Sequence, residues 1–251
     1  MGEQEWNQTY GRGRGLSLIQ NSDGNYIIGG GSRSGGLRKV NNTGEFLWNA
    51  TPSLGTPGVD FLNSVTETSD GGYAFAGGTS SSDPAGDFLL VKSDVNGTKE
   101  WTKTFGGSSW DNSCCDRNIL QTSDGGFILV GETTSFGAGG ADGWVLKTDN
   151  NGSQLWNQTF GGPSNDRIFS LFAISDNEIM LAGMTESKGN GFSDIWIIKA
   201  KSSTPTSTTT STTTSTPTST TTPKSTFGFN SFSVVFGIGL IVFIRSVKSK
   251  K

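Results

Sequence analysis

Through the first 200 residues the apolar side chains come in short runs broken by Gly, Asp, Asn and Ser. In the stretch from residue 62 to 105 this pattern predicts four strands, Leu62 to Thr68, Tyr73 to Gly78, Phe88 to Lys92 and Glu100 to Phe105, each of ordinary strand length. No segment of this region carries sustained helical periodicity with caps. Between the first two strands "SDGG" supplies a tight turn, because glycine accepts positive φ without steric cost. "DVNG" and "DNNG" close the later hairpin with a slightly longer loop.

The pattern repeats. Aligned on a Ser-Asp pair, "NSDGNYIIGGGS", "TSDGGYAFAGGTS", "TSDGGFILVGETTS" and "ISDNEIMLAGMTES" place Asp23, Asp70, Asp124 and Asp176 at intervals of 47, 54 and 52 residues. Trp6, Trp48, Trp101 and Trp156 keep the same rhythm, and Gly30, Gly77, Gly131 and Gly183 each follow the aspartate by seven residues. Four antiparallel strands in a repeating unit of about 50 residues predict an all-β fold, a β-propeller whose blades bury one another's faces. The expectation is about four four-stranded blades over residues 1–201, or an arc of a larger propeller. The repeated glycines then suit crowded strands near the axis, and each tryptophan covers the outer interface between neighbouring blades.

These units resemble the β-propeller repeat proteins found on the surfaces of archaea and bacteria, whose units read roughly "TSDGGY…AG.T.S.G.G..D.W..K.D..G...W..TFGG". The third unit, "TSDGGFILVGETTSFGAGGADGWVLKTDNNGSQLWNQTFGG", follows that pattern almost throughout. The first is degenerate, with Ser34 and Gly36 where later units carry Asp87, Asp142 or Asp194 and then Leu or Trp. The resemblance implies an architecture and no single activity.

The chain opens with "MGEQEWNQTYG", the second half of a unit, while the fourth unit stops after its third strand, "DIWIIKAK". Two expectations follow. Either Glu5 to Thr9 pairs beside Asp194 to Lys199 and closes a four-bladed ring, removing exposed sheet edges, or the start lies upstream of Met1. The tail favours the second. Residues 202–226 form a Ser/Thr/Pro-rich stalk without core-forming residues, expected to be extended, disordered and O-glycosylated. Residues 227–244 carry no charge and are followed by a basic tail over 245–251 containing Arg245, Lys248, Lys250 and Lys251. As a helix the apolar segment spans roughly 27 Å, enough for one membrane crossing, and the positive-inside rule leaves the C-terminus cytoplasmic. The order also resembles the C-terminal sorting tails of archaeal surface proteins, which are cleaved and replaced by a lipid, with "FGF" in place of their Pro-Gly-Phe. The propeller is therefore expected outside the cell membrane, and the first residues contain no apolar core that could serve as its export signal.

Charge agrees with that placement. All 22 acidic residues precede residue 200, with 13 of the 19 basic ones, so the repeat region is acidic and offers no basic face for nucleic acid. Six sequons, at Asn7, Asn41, Asn49, Asn96, Asn151 and Asn157, permit a surface glycoprotein. Cys114 and Cys115 are adjacent, open to a vicinal disulfide or to remaining free.

The chain has no histidine, so Ser-His-Asp and Cys-His catalysis and His-ligated zinc are unavailable to it. Carboxylates remain. Asp60, Asp111 and Asp166 lie in the connections between blades, and Asp87, Asp142 and Asp194 just before third strands; in a propeller both groups emerge on one face. Such a ring could bind Ca²⁺, or its members could cap turns. No cofactor is called for. One enzymatic alternative is a carboxylate-based glycan-active enzyme. Another is a quinoprotein, since D-x-x-G-x-x-x-W resembles the tryptophan-docking repeat of quinone-dependent dehydrogenases, with one residue fewer between Asp and Gly. The leading expectation is a membrane-anchored adhesion or binding module for an extracellular protein or glycan. Trp110 beside Asp111 is its best candidate contact, because a tryptophan can stack on a sugar ring or anchor a protein while an acid accepts hydrogen bonds.

Overall fold

The computed structural model describes residues 2–11, 13–31, 36–51, 60–80, 85–113, 117–175 and 177–201. The expected stalk, membrane helix and basic tail, together with Met1, Ser34, Cys114, Cys115 and Asp176, lie outside the described residues. Among those described there is no helix.

The described residues form sixteen strands in four antiparallel sheets. Sheet 1 holds β1 (Arg14–Gln20), β2 (Tyr26–Gly31), β3 (Gly36–Val40) and β4 (Phe46–Ala50) in sequence order. Sheet 2 repeats this with β5 (Asp60–Glu67), β6 (Tyr73–Thr79), β7 (Asp87–Ser93) and β8 (Lys99–Phe105). In sheet 3 the inner strand is split into β9 (Asp111–Asn112) and β10 (Ile119–Gln121), both pairing with β11 (Phe127–Thr133), which is followed by β12 (Asp142–Thr148) and β13 (Gln154–Phe160). Sheet 4 has three strands, β14 (Asp166–Ser175), β15 (Glu178–Thr185) and β16 (Asp194–Lys201). The strands expected in the second unit match β5 to β8 to within two residues at each end.

Local chemistry explains the hairpins. Gly71 and Gly125 hold φ of 79° in the "SDGG" turns, a conformation that costs glycine nothing. In the later hairpin Asp94 and Asp149 each accept two backbone N–H groups with Oδ1, from Asn96 and Thr98 and from Asn151 and Ser153. Those side chains are turn caps, in keeping with the hairpin reading of "DNNG".

The sheets stack as blades. Ile27 and Leu37 of blade 1 pack on Val65, Tyr73 and Phe75 of blade 2. Ala74, Phe88 and Leu90 of blade 2 pack on Phe127, Leu129 and Trp144 of blade 3. Ile128, Val130 and Val145 of blade 3 pack on Ile168, Leu171 and Leu181 of blade 4. Each blade thus has a forward face and a backward face, contributed by alternate residues of the same strands. The inner strands β1, β5, β10 and β14 border one cavity of about 750 Å³, where Arg117 is the one charged lining residue among those described.

The repeated glycine has a physical cause. A Cβ on Gly30, Gly77, Gly131 or Gly183 would collide with the carbonyl oxygen of Arg14, Phe61, Asn112 or Arg167 of the inner strand. Three of those contacts adjoin register shifts in β1, β5 and β14, where a bulge brings the two backbones together. The repeated tryptophan does what its spacing predicts. Trp48 meets Tyr73 at 6.1 Å and Trp101 meets Phe127 at 6.0 Å, each reaching the following blade, where it also covers Gly97 or Gly152.

The ring does not close on itself, which corrects one of the two expectations for the chain start. Residues 2–10 form no strand, and among the described residues β16 pairs with β15 alone. Trp6 nevertheless stands on blade 1, 6.3 Å from Tyr26 and over Gly44, as Trp48 stands on blade 2. The result is an open all-β array of four sheets with the blade order of a propeller arc.

Candidate functional site

The expected carboxylates gather at one end of the sheets, the end where chain passes from one blade to the next. Asp111 begins β9 opposite Thr133, and Asp166 begins β14 opposite Thr185. Both are fully buried. Asp111 Oδ1 accepts from the Thr133 hydroxyl, and Oδ2 from the Ser135 hydroxyl at 2.6 Å and the Gly107 N–H at 2.8 Å. Asp166 repeats this set with the Thr185 hydroxyl, the Ser187 hydroxyl at 2.6 Å and the Gly162 N–H at 2.9 Å. One carboxylate therefore ties the "FGG" end of one blade to the "T-x-S" end of the next blade's second strand. Such charge-assisted bonds are the stronger kind, and burial removes the water that would compete for them. Asp60 begins β5 opposite Thr79 in the same register, with its side chain outside the described residues.

The second group of carboxylates abuts the first. Asp142 is buried at the start of β12 and accepts the Ala138 N–H at 2.7 Å. A Cβ on Gly161 would collide with Asp142 Oδ1 and lie 2.8 Å from Asp166 Oδ2; Gly106 is held in the same way between Asp87 and Asp111. Two carboxylates flank each bare glycine. Burial pushes the Asp142 carboxyl above its usual range, and the charge of Asp166 adds to this against the opposing Ala138 N–H. Asp194 occupies the matching position in blade 4 and is half-buried, beside Gly189. The structure thus brings Asp87 to Asp111 and Asp142 to Asp166 in pairs within the joints between blades. Among the described residues no three Asp, Glu, Cys or His side chains are grouped to hold a metal.

Three aromatic residues at this end face solvent. Trp110 is 49% exposed, packing one face over Gly86 of the preceding blade, while its carbonyl accepts the Thr134 N–H at 2.8 Å and the Thr134 hydroxyl at 2.6 Å. Phe136 is 43% exposed, its ring tilted by 37° against the buried Trp144 at 5.6 Å between centroids. Between them the Ser109 N–H donates to the Ser135 hydroxyl oxygen at 3.0 Å, while that hydroxyl gives its own proton to Asp111. Phe192 lies almost wholly in solvent in the corresponding loop of blade 4. The sequence singled out Trp110 and not Phe136, which stands alone in a Gly-rich loop with no motif to mark it.

Of the six sequon asparagines, Asn7, Asn49, Asn96, Asn151 and Asn157 are exposed. Asn41 is half-buried, its amide donating to Glu45 and its carbonyl capping the turn at Thr43 and Glu45.

No protein-family model and no curated protein matches the chain. Solved structures similar to it include a protein of unknown function from Bacteroides caccae, with a TM-score of 0.46, 14% identity and coverage of 68% of this chain and 53% of that one. BamB from Moraxella catarrhalis gives a TM-score of 0.40 at 13% identity over 67% of this chain and 56% of its own. Quinohemoprotein alcohol dehydrogenase from Comamonas testosteroni gives 0.42 at 12% over 71% and 30%. The chain spans about half of the first two proteins and less than a third of the last.

Proposed function

We propose that the array is an extracellular binding module, held to the cell membrane through its C-terminal segment, that takes a glycan or an aromatic-rich protein surface on its aromatic loop face. The observation that carries this reading is the half-exposed pair Trp110 and Phe136 on loops fixed from beneath by the buried Asp111 cap. An aromatic platform binds well when it is already immobile, because little conformational entropy is left to lose on contact. Trp110 presents one ring face and is held by the other; its carbonyl is fixed to Thr134. Asp111 acts through the loop as a positioning residue, since its own oxygens are engaged. In the enzymatic alternatives these carboxylates would have to leave the joints to reach a substrate.

The test is a glycan-array and cell-surface binding screen with the full chain and a Trp110→Ala variant of unchanged melting temperature. Loss of a central stacking contact worth about 1.4 kcal/mol weakens binding about tenfold. Equal binding by both chains would remove this face as the site.

A further inference from the structure

At the turn end, opposite the aromatic loops, the joints between blades repeat one polar contact that the third joint lacks. Gln20, Glu67, Gln121 and Ala173 are equivalent, because each pairs with the residue three after its unit's aspartate, Tyr26, Tyr73, Phe127 or Ile179. In the first joint the Glu67 carboxylate of blade 2 holds the turn of blade 1 through both oxygens. Oε2 accepts the Ser22 N–H at 2.8 Å and Oε1 the Ser22 hydroxyl at 2.7 Å. In the second joint Gln121 of blade 3 repeats half of this, its Oε1 accepting the Ser69 N–H at 2.8 Å. In the third joint the corresponding side chain is the methyl group of Ala173, which carries no acceptor. Among the described residues Ser123, the serine of the blade 3 turn, forms no hydrogen bond.

Space opens where the long side chain is missing. A cavity of about 180 Å³ is bordered by the aliphatic side chains of Leu120, Ile128, Ile174 and Ile179, by Ala173 itself and by Thr122, the residue before Ser123. At about 30 Å³ for each water-sized group, it takes roughly six heavy atoms. Charge at this turn is set as it is in the first joint. Asp124 beside Ser123 is bound by Lys147 at 2.9 Å, and Asp23 beside Ser22 lies 3.7 Å from Lys39. The Glu67 contact shows that such a turn, with its aspartate next to a lysine, accepts a further carboxylate on its serine.

We propose that the joint between blades 3 and 4 binds a free short-chain aliphatic carboxylate at its turn end. The carboxylate accepts the Ser123 N–H and hydroxyl, as Glu67 accepts those of Ser22 in the first joint, and the aliphatic chain lies in the cavity beside Ala173. Both parts of the ligand are needed. An exposed serine already bonds to water, so exchanging that water for a carboxylate gains little by itself, and burying the chain against Leu120, Ile128, Ile174 and Ile179 supplies the driving force. The serine donors select the carboxylate head, and the cavity limits the chain to about four or five carbons. This site lies at the other end of the blades from Trp110 and Phe136 and does not depend on what the aromatic loops bind.

The test follows the Ser123 amide by NMR in the full-length chain, made with isotope-labelled serine and kept in mild detergent at neutral pH; a Ser123→Ala variant identifies the resonance. Titration with sodium valerate should move this amide saturably. The Ser22 and Ser69 amides, already held by Glu67 and Gln121, should stay in place. Pentylammonium, which has the same chain length but no acceptor and the opposite charge, should bind at least tenfold more weakly. Ala173→Glu supplies the carboxylate from within the chain at an exposed position. It should weaken valerate binding at least tenfold and, without ligand, shift the Ser123 amide toward the position of Ser22. A Ser123 amide that valerate leaves unmoved would overturn the proposal, as would equal binding of pentylammonium or undiminished valerate binding by Ala173→Glu.

Discussion

At the turn end of sheets 2 and 3 the repeat's aspartates sit half in water, and at the loop end Asp111, Asp142 and Asp166 are sealed between blades. Asp70 and Asp124 are 57% and 59% exposed, and each binds a lysine that is itself buried, Lys92 at 2.9 Å and Lys147 at 2.9 Å. Asp111, Asp142 and Asp166 are buried, pair with no cation among the described residues and rely on hydroxyl and backbone donors. The difference shows in their acidity. Burial alone would raise Asp124, but bonds from Thr122, Lys147 and the Gly126 N–H, with the lysine charge, bring it down to about 2; Thr68, Lys92 and Gly72 do the same for Asp70. Asp142 moves the other way. One residue type in one repeat is thus a surface tie at one end and a buried joint at the other, and the next blade makes the difference.

Breaking the buried joint should cost most. Asp166→Ala leaves the Thr185 and Ser187 hydroxyls and the Gly162 N–H without their acceptor inside the blade 3 to blade 4 joint. A loss of about 3 kcal/mol is expected in denaturant unfolding of the full chain. A loss below about 1 kcal/mol would equate this aspartate with the exposed ones.

A matched pair of glycine substitutions separates lack of space from backbone strain. Gly161→Ala puts a methyl group into Asp142 and Asp166, an overpacking cost of about 2 to 3 kcal/mol. Gly71→Ala meets nothing within 4 Å and pays only for its φ of 79°, about 1 kcal/mol. Equal melting temperatures for the two would mean that the carboxylate pair yields easily.

The exposed ties should matter least at neutral pH. Asp124→Asn is expected to cost about 0.5 to 1 kcal/mol, the discounted value of a half-exposed ion pair. Its pH dependence has a definite sign. A carboxyl lowered from 3.8 to about 2 stabilises the fold fully above its ordinary value, and the contribution fades as pH falls toward 2. The unsubstituted chain should therefore lose more stability between pH 4 and 2 than a variant carrying both Asp70→Asn and Asp124→Asn. Asp142 contributes oppositely: raised in the fold, it costs stability as pH rises past the ordinary carboxylate value, so acidification gives the unsubstituted chain a relief that Asp142→Asn lacks. Parallel pH profiles for all three chains would erase the distinction between the two ends.

The parts legible in the sequence are those determined locally. The period, the strand count of each unit and the "SDGG" and "DNNG" hairpins follow from alternation, glycine at positive φ and aspartate capping, all within a few residues of one another. Trp48 and Trp101 were legible as joint covers because their spacing matches the unit. The roles of Asp111 and Asp166 were half legible: their place on one face followed from the repeat, while their Thr and Ser partners, 19 to 24 residues away, did not stand out. The buried lysines went unnoticed, since a lysine in a strand reads as solvated until an adjoining turn supplies a carboxylate.

Only the tertiary structure decided which aspartates lost their water, because that depends on a neighbouring blade rather than on the residues beside them in the chain. It also decided that the array stays open. "WNQTYG" has the composition of a fourth strand, but pairing needs a partner edge within reach. Trp6 meets Tyr26 and Gly44 of its own first blade, and no other described strand pairs with the second edge of β16. Alternation along a strand establishes that two faces exist; what each face meets is a property of the assembled stack.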